Sequence, residues 1–265
     1  MTETRQEIDS TRPHPARMYD YYLGGKDWFG VDREAAEEVL RAVPFARTGA
    51  RQNRAFMQRA VRALAAEHGI RQFLDLGSGI PTEPNLHQVV QQVAPECRVV
   101  YADNDPMVLE YVDVLMHGTA EGRTAYVESD VRTDDLLYDE RVRAVLDLTQ
   151  PVALSLVALL HFFPDELDPH DLVGTMVERL PAGSCLVLSH ATNDLAPEEG
   201  RRIEELYRRG GNHIQGRTRE EFARFFDGLE LLDPGVQLVH RWRPEERPEL
   251  NDAEVSFYGA VARKP

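Results

Sequence analysis

Phe73-Leu74-Asp75-Leu76-Gly77-Ser78-Gly79-Ile80-Pro81-Thr82 is the stretch whose reading decides the fold. Phe73, Leu74 and Leu76 make the apolar run of a buried strand. Asp75 interrupts that run near its end, and Gly77 and Gly79 let the backbone turn sharply and approach a ligand. A dinucleotide fingerprint places a third glycine three residues beyond the second, where the next helix packs on the strand, but here Thr82 holds that position. The Gly-Lys-Ser/Thr ending of a triphosphate loop is absent as well. The remaining pattern, acidic-x-Gly-x-Gly, suits a ligand with a positive group at the strand end, because Asp75 attracts an amine and repels a pyrophosphate.

Downstream of this stretch, apolar strand patterns alternate with helix patterns, the signature of a parallel sheet covered on both faces. We expect helices over 84–93, 106–116, 132–138, 168–180, 197–209 and 218–225, and helical structure reaching Val145 before Pro151. Strands are expected over 71–76, 98–102, 124–128, 152–157 and 184–190, with a final pair at 236–240 and 255–262 joined by a long Pro-rich connection. Upstream, Asp32 caps a helix over 34–41 stopped by Pro44. A second helix over 48–68 turns Phe56, Met57, Ala60, Val61 and Leu64 inward. Residues 1–14 are polar and Pro-containing, so an irregular start is expected. The expectation is an α/β, Rossmann-like, doubly wound, mostly parallel seven-stranded sheet over 70–265, with an N-terminal helical cap over 1–69.

Three acidic residues fall at the ends of three successive expected strands, and ligands of open parallel sheets bind at that carboxyl edge. They are Asp75, Asp103 after Val99-Val100-Tyr101-Ala102, and Asp130 after the run Ala125 to Ser129. Together with the glycine turn, this pattern resembles the class I S-adenosylmethionine methyltransferases. The resemblance implies S-adenosyl-L-methionine as cofactor, with Asp75, Gly77, Ser78 and Gly79 at its methionine end. It further implies Asp103 and Asn104 on the ribose, and Asp130 with Val131 near the adenine. Tyr19-Asp20-Tyr21-Tyr22-Leu23-Gly24-Gly25-Lys26-Asp27, joined to the glycine turn, further resembles one family of such methyltransferases long catalogued as a domain of unknown function. That likeness implies an enzyme but no particular acceptor.

The segment Ala16 to Phe29 holds five aromatics and two adjacent glycines. Tyr19 and Tyr22 share one helix face, and Gly24-Gly25 closes the helix. We expect a lid over the ligand, with Tyr19 and Tyr22 at the pocket mouth and Lys26 and Asp27 fixing the bend; packing remote from the sheet edge is the competing account. Methyl transfer from a sulfonium succeeds largely by positioning, with a base only where the acceptor must lose a proton. His161, just past the fourth strand, is the candidate base, and His190 is a weaker one. His87, His117 and His213 lack metal-ligand spacing, and no Cys/His cluster exists in the sequence, so no metal is expected.

Composition narrows the partners. The net charge of −15, from 45 acidic and 30 basic residues, disfavours a phosphate-tracking surface and hence nucleic acid; the acceptor is expected to be a small molecule that enters under the aromatic N-terminal cap. Arg47, Arg51, Arg54, Arg59 and Arg62 read as the solvated face of one helix. Cys97 and Cys185 lie in apolar runs and read as free buried thiols in a reducing compartment. Neither a signal peptide nor an apolar run of membrane-spanning length is visible, so the expected location is cytoplasmic, away from the membrane; a homo-oligomer is compatible with the composition. Two alternatives stand beside the enzyme: a non-catalytic module that senses S-adenosylmethionine or S-adenosylhomocysteine, and a nicotinamide-dependent Rossmann enzyme, against which Thr82 speaks.

Overall fold

The computed structural model describes residues 8–109, 117–246 and 249–265. Its core is a twisted sheet in which β1 (Gln72–Leu76), β2 (Arg98–Asp103), β3 (Arg123–Glu128), β4 (Ala153–Val157) and β5 (Cys185–Ala191) run parallel. Short β6 (Glu230–Leu231) and β7 (Gln237–Leu238) and the long β8 (Phe257–Arg263) complete it. β8 is antiparallel to β5, β6 and β7. The spatial order is β3-β2-β1-β4-β5-β8-β6, a path of seven strands with β7 attached to β8 as an eighth. The chain winds outward from β1 in one direction and resumes from β4 in the other. A crevice therefore opens between the carboxyl ends of β1 and β4.

Side chains alternate between the two faces of the strands, and two hydrophobic clusters result. Leu74, Leu76, Val100, Leu154, Leu156, Leu186 and Leu188 point to one face, where Val173, Met176, Phe222 and Phe226 cover them. Phe73, Val99, Tyr101, Ala153 and Val187 point to the other, under Phe56, Met57, Ala60, Val61 and Leu64 of helix α3 (Ala46–Glu67) and under Trp242. Gly259 makes the α3 contact possible, since a Cβ there would lie 2.8 Å from the Phe56 ring. Phe56 in turn packs edge-on against Trp242, with ring centroids 5.4 Å apart.

In front of α3 lie α1 (Pro15–Leu23) and α2 (Gly30–Ala42), joined through a small cluster of Met18, Tyr22, Ala36, Val39, Ala50 and Tyr207. α1 and α2 stand off the sheet, whereas α3 is one of its covering layers, so a boundary at residue 69 cuts through the main core. The expected alternation is present throughout. Local differences have plain causes. The helix expected over 132–138 is a turn followed by a single 3₁₀ turn, Leu136–Tyr138, because Asp130 and Asp134 hold the backbone N–H groups in local caps. α6 (Glu140–Arg143) ends before Val145. α4 (Leu86–Val93) and α5 (Pro106–Leu109) start where expected within two residues, and the remainder of the helix expected to reach 116 lies outside the described residues. α7 (Pro169–Glu178), α8 (Pro197–Arg209) and α9 (Arg219–Ala223) follow the expected helices. β6 escaped notice because two residues carry no periodicity.

The solvated basic face expected on α3 holds only for Arg51 and Arg62. The Arg47 guanidinium lies 4.8 Å over the Tyr21 ring. Arg54 donates to the Thr82 and Pro84 carbonyls, and Arg59 to those of Val239 and Trp242. These arginines tie α3 to loops that approach from the sheet.

A chain beginning at residue 70 should show no cooperative thermal unfolding, because it bares Phe73, Val99 and Val187. Deleting Phe56 to alanine should cost about 3–5 kcal/mol, the range for a buried ring, measurable by urea denaturation.

Candidate functional site

A cavity of about 870 Å³ lies at the carboxyl edge of β1, β2, β4 and β5. Asp75, Gly77, Ser78, Gly79, Asp103, Asn104, Asp130 and Val131 all line it, as do Tyr19, Tyr22 and His161. Lys26 and Asp27 do not.

The glycine turn is pinned to the neighbouring strand, with the Gly77 N–H donating to the Ala102 carbonyl at 2.8 Å and the Gly79 N–H to Asp103 Oδ2 at 2.7 Å. Both glycines adopt left-handed backbone, φ +65° and +64°. Their surroundings differ. A Cβ on Gly77 would meet the Leu159 side chain at 2.5 Å, whereas one on Gly79 would find only Ala16, 3.9 Å away. Both glycines are thus required by conformation, Leu159 crowds Gly77 in addition, and the space before Gly79 is open. Ser78 Oγ is buried with no partner among the described residues.

Asp75 sits in register with Ser155 of β4, whose hydroxyl donates to Asp75 Oδ1 at 2.6 Å. Burial pushes this carboxyl up to about 6, partly opposed by the Ser155 bond and the Arg54 charge. Asp103 is also raised by burial, although the Asp105 and Gly79 N–H groups pull it back. Each Asp103 oxygen accepts one backbone N–H, which fixes the carboxylate and leaves lone pairs for further donors. Asp130 differs. Arg132 grips both its oxygens and holds it below the usual carboxylate range, so it caps its own turn while lining the cavity.

His161 follows β4 and is 4% exposed; its Nδ1 has no hydrogen-bond partner among the described residues. Burial, reinforced by His190 and the Arg217 cation, keeps this ring neutral, well below the ordinary histidine value. That weakens it as a proton acceptor while preserving it as a hydrogen-bonding group. His190 lies outside the cavity. Its Nε2 stands 2.7 Å from Arg217 and burial lowers it to about 3, a structural role. No group of three or more metal-binding side chains occurs among the described residues, and both cysteines are free and buried.

α1 covers the cavity. The Tyr19 hydroxyl donates to the Ala50 carbonyl and accepts from Asn53 Nδ2 at 2.9 Å, and Asn53 Oδ1 receives Ser189 Oγ of β5 at 2.5 Å. At the other end of α1, His14 Nδ1 lies 3.0 Å from Asp105, just past β2. Arg17 pairs with the buried Asp32 at 3.0 Å. The bend after α1 is fixed by Asp20 and not, as expected, by Lys26 and Asp27. Asp20 accepts the Asp27 N–H at 3.0 Å, and a Cβ on Gly25 would lie 2.0 Å from its carboxylate. Lys26 is exposed. Of the five aromatics, Tyr21 and Trp28 pack edge-on against each other at 5.3 Å, away from the cavity.

Sequence reasoning passed over Asn53, Ser155 and His14. Their positions signal nothing locally, since each acquires its partner from a segment at least 30 residues distant.

A family model described as S-adenosyl methyltransferase matches residues 1–265. A DUF574 family protein from Streptomyces avermitilis is 47% identical, with a TM-score of 0.96 over 98% of this chain and 100% of its own. A protein from Thermobifida fusca, provisionally assigned as a methyltransferase, is 37% identical, with a TM-score of 0.90 over 97% of this chain and 96% of its own. A plantazolicin methyltransferase in complex with SAH shares the fold at 11% identity, with a TM-score of 0.52 over 94% of this chain and 95% of its own. No functionally curated protein matches.

The buried Asp75 predicts a pH signature. The unfolded chain releases this proton near the ordinary 3.8 and the folded chain near 6, so native stability falls as pH rises between them. The difference is worth roughly 3 kcal/mol. Asp75→Asn, which keeps the acceptor for Ser155, should remove that decline and raise stability at pH 7–8, as read by urea denaturation across pH 4–8.

Proposed function

Because the chain belongs to the S-adenosyl methyltransferase family, we propose that the glycine turn and the ends of β1, β2 and β3 hold S-adenosylmethionine, and that a small-molecule acceptor is methylated beside it in the same cavity. The observation that carries this reading is the continuity of the cavity. It joins Gly77–Gly79 and Asp103 to a compartment lined by Tyr22, His161, Phe162 and Tyr207.

S-adenosylmethionine is the cofactor of this enzyme, and when bound it supplies a methyl group on a positively charged sulfur. The donor set fits it. Asp75 offers a buried anion to the amino group, and the open space before Gly79 and the unpartnered Ser78 hydroxyl suit its carboxylate end. Asp103, held by two backbone N–H groups, offers both oxygens to a ribose diol. Asn104, Val131 and Asp130 flank the adenine side, where Asp130 must share its oxygens with Arg132. Tyr19 and Tyr22 on α1 act as a cover that excludes water. His161, neutral and unpartnered, orients the acceptor rather than driving proton removal.

The assignment of Asp103 is tested by calorimetry with S-adenosylhomocysteine. Asp103→Ala should weaken binding by about 1.5–3 kcal/mol, roughly 10- to 150-fold. Unchanged affinity in a folded variant contradicts the ribose role. Deleting residues 1–30 should lower the same affinity with a modest fall in melting temperature; lost stability with affinity retained in the folded fraction makes the segment scaffold alone.

A further inference from the structure

The far compartment of the cavity has a chemistry that cofactor binding does not use. Tyr22, Phe162, Tyr207 and Phe257 supply aromatic surface, with Phe162 and Tyr207 centroids 6.0 Å apart and His161 and Phe257 5.9 Å apart. Glu204 of α8 enters this wall. Its Oε1 accepts from Asn193 Nδ2 at 2.8 Å and from the Gly216 N–H at 3.0 Å. Both donors are neutral, so they fix the carboxylate without cancelling its charge, and Oε2 has no protein partner among the described residues. The arrangement is built rather than incidental. A Cβ on Gly200 would come within 2.0 Å of Asn193, and one on Gly216 within 2.5 Å. Two glycines thus make room for the amide that holds Glu204.

Cationic side chains are few in the cavity wall. Among the described residues lining the cavity, Arg54 and Arg132 are the only lysine or arginine side chains. Arg132 is paired with Asp130, and Arg54, which donates to the Thr82 and Pro84 carbonyls, acts through its charge on Asp75 at the cofactor end. An acceptor bearing a carboxylate or phosphate would face Glu204 and Glu199. A cation, by contrast, would find one fixed carboxylate, several ring faces and a buried His161 whose Nδ1 is unpartnered and whose ring is uncharged.

We propose that the methyl acceptor is a hydrophobic, ring-bearing amine, its nitrogen received at Glu204 and its ring packed among Tyr22, Phe162, Tyr207 and Phe257. This rests on the cofactor reading above. The amine arrives as R–NH₃⁺ and loses one proton to water. Its lone pair then forms the N–C bond as the S–C bond breaks, and that bonding pair stays on sulfur. The products are a methylated ammonium and a neutral thioether, with one proton released per turnover.

The test uses the full chain saturated with S-adenosylhomocysteine, titrated calorimetrically with phenethylamine and tryptamine and with phenethyl alcohol and hydrocinnamate as neutral and anionic counterparts. Amines should bind and hydrocinnamate should not. Glu204→Gln, which retains the Oε1 acceptor, should weaken amine binding by about tenfold or more, with S-adenosylhomocysteine affinity and melting temperature unchanged. The proposal is overturned if hydrocinnamate binds as tightly, if neither amine binds the saturated protein, or if Glu204→Gln binds them as the parent does. Retained cofactor affinity in those cases leaves the cofactor site standing; absence of S-adenosylhomocysteine binding to the parent protein overturns both.

Discussion

A carboxylate caught between two parallel strands, with a single hydroxyl for a strong partner, is the constraint around which this structure is arranged. Asp75 occupies a position where the period-2 pattern of β1 calls for an apolar residue on the α3 face, and Ser155 of β4 is its only hydrogen-bond donor among the described residues. Burial makes its charged form expensive, and Arg54 offsets this only through its charge, with no hydrogen bond to the carboxylate. An isolated fold gains nothing from such a group. A cationic ligand that enters the crevice restores the missing countercharge, so the same feature that burdens the empty fold strengthens binding.

The cover is coupled to this crevice at both ends. Ser189, Asn53 and Tyr19 form a polar chain from β5 through α3 to α1, and His14 faces Asp105 two residues beyond Asp103. α1 is therefore not an independent flap resting on apolar contacts. Its placement reports on the ends of β2 and β5, so the proposed cofactor and acceptor sites share one roof.

The sheet was legible because its signals are local and repeated. Apolar runs at Val99–Val100 and Leu186–Leu188 alternate with helix patterns, and the turn glycines carry their conformational demand in their identity. The convergence of Asp75 and Asp103 on one cavity was legible too, since strand ends in a parallel sheet fall on one edge whatever the intervening helices. What escaped depends on distant pairing. Glu204 looks like one acid among several on α8 until Asn193 and Gly216 arrive from either side. Lys26 and Asp27 drew notice by adjacency to the double glycine, yet the bend is set by Asp20, four residues before Gly24 and buried. Arg54 and Arg59 resembled a solvated stripe because the carbonyls they bind lie up to 183 residues away in sequence.

The central claim is that Asp75 is a binding charge and not a core defect. Calorimetric titration of S-adenosylhomocysteine between pH 5 and pH 8 tests it most directly. Affinity should rise as Asp75 ionises near 6 and then level off, and in Asp75→Asn the rise should vanish along with much of the affinity. An affinity independent of pH across that interval, or an Asp75→Asn variant that binds as tightly as the parent, would contradict the account.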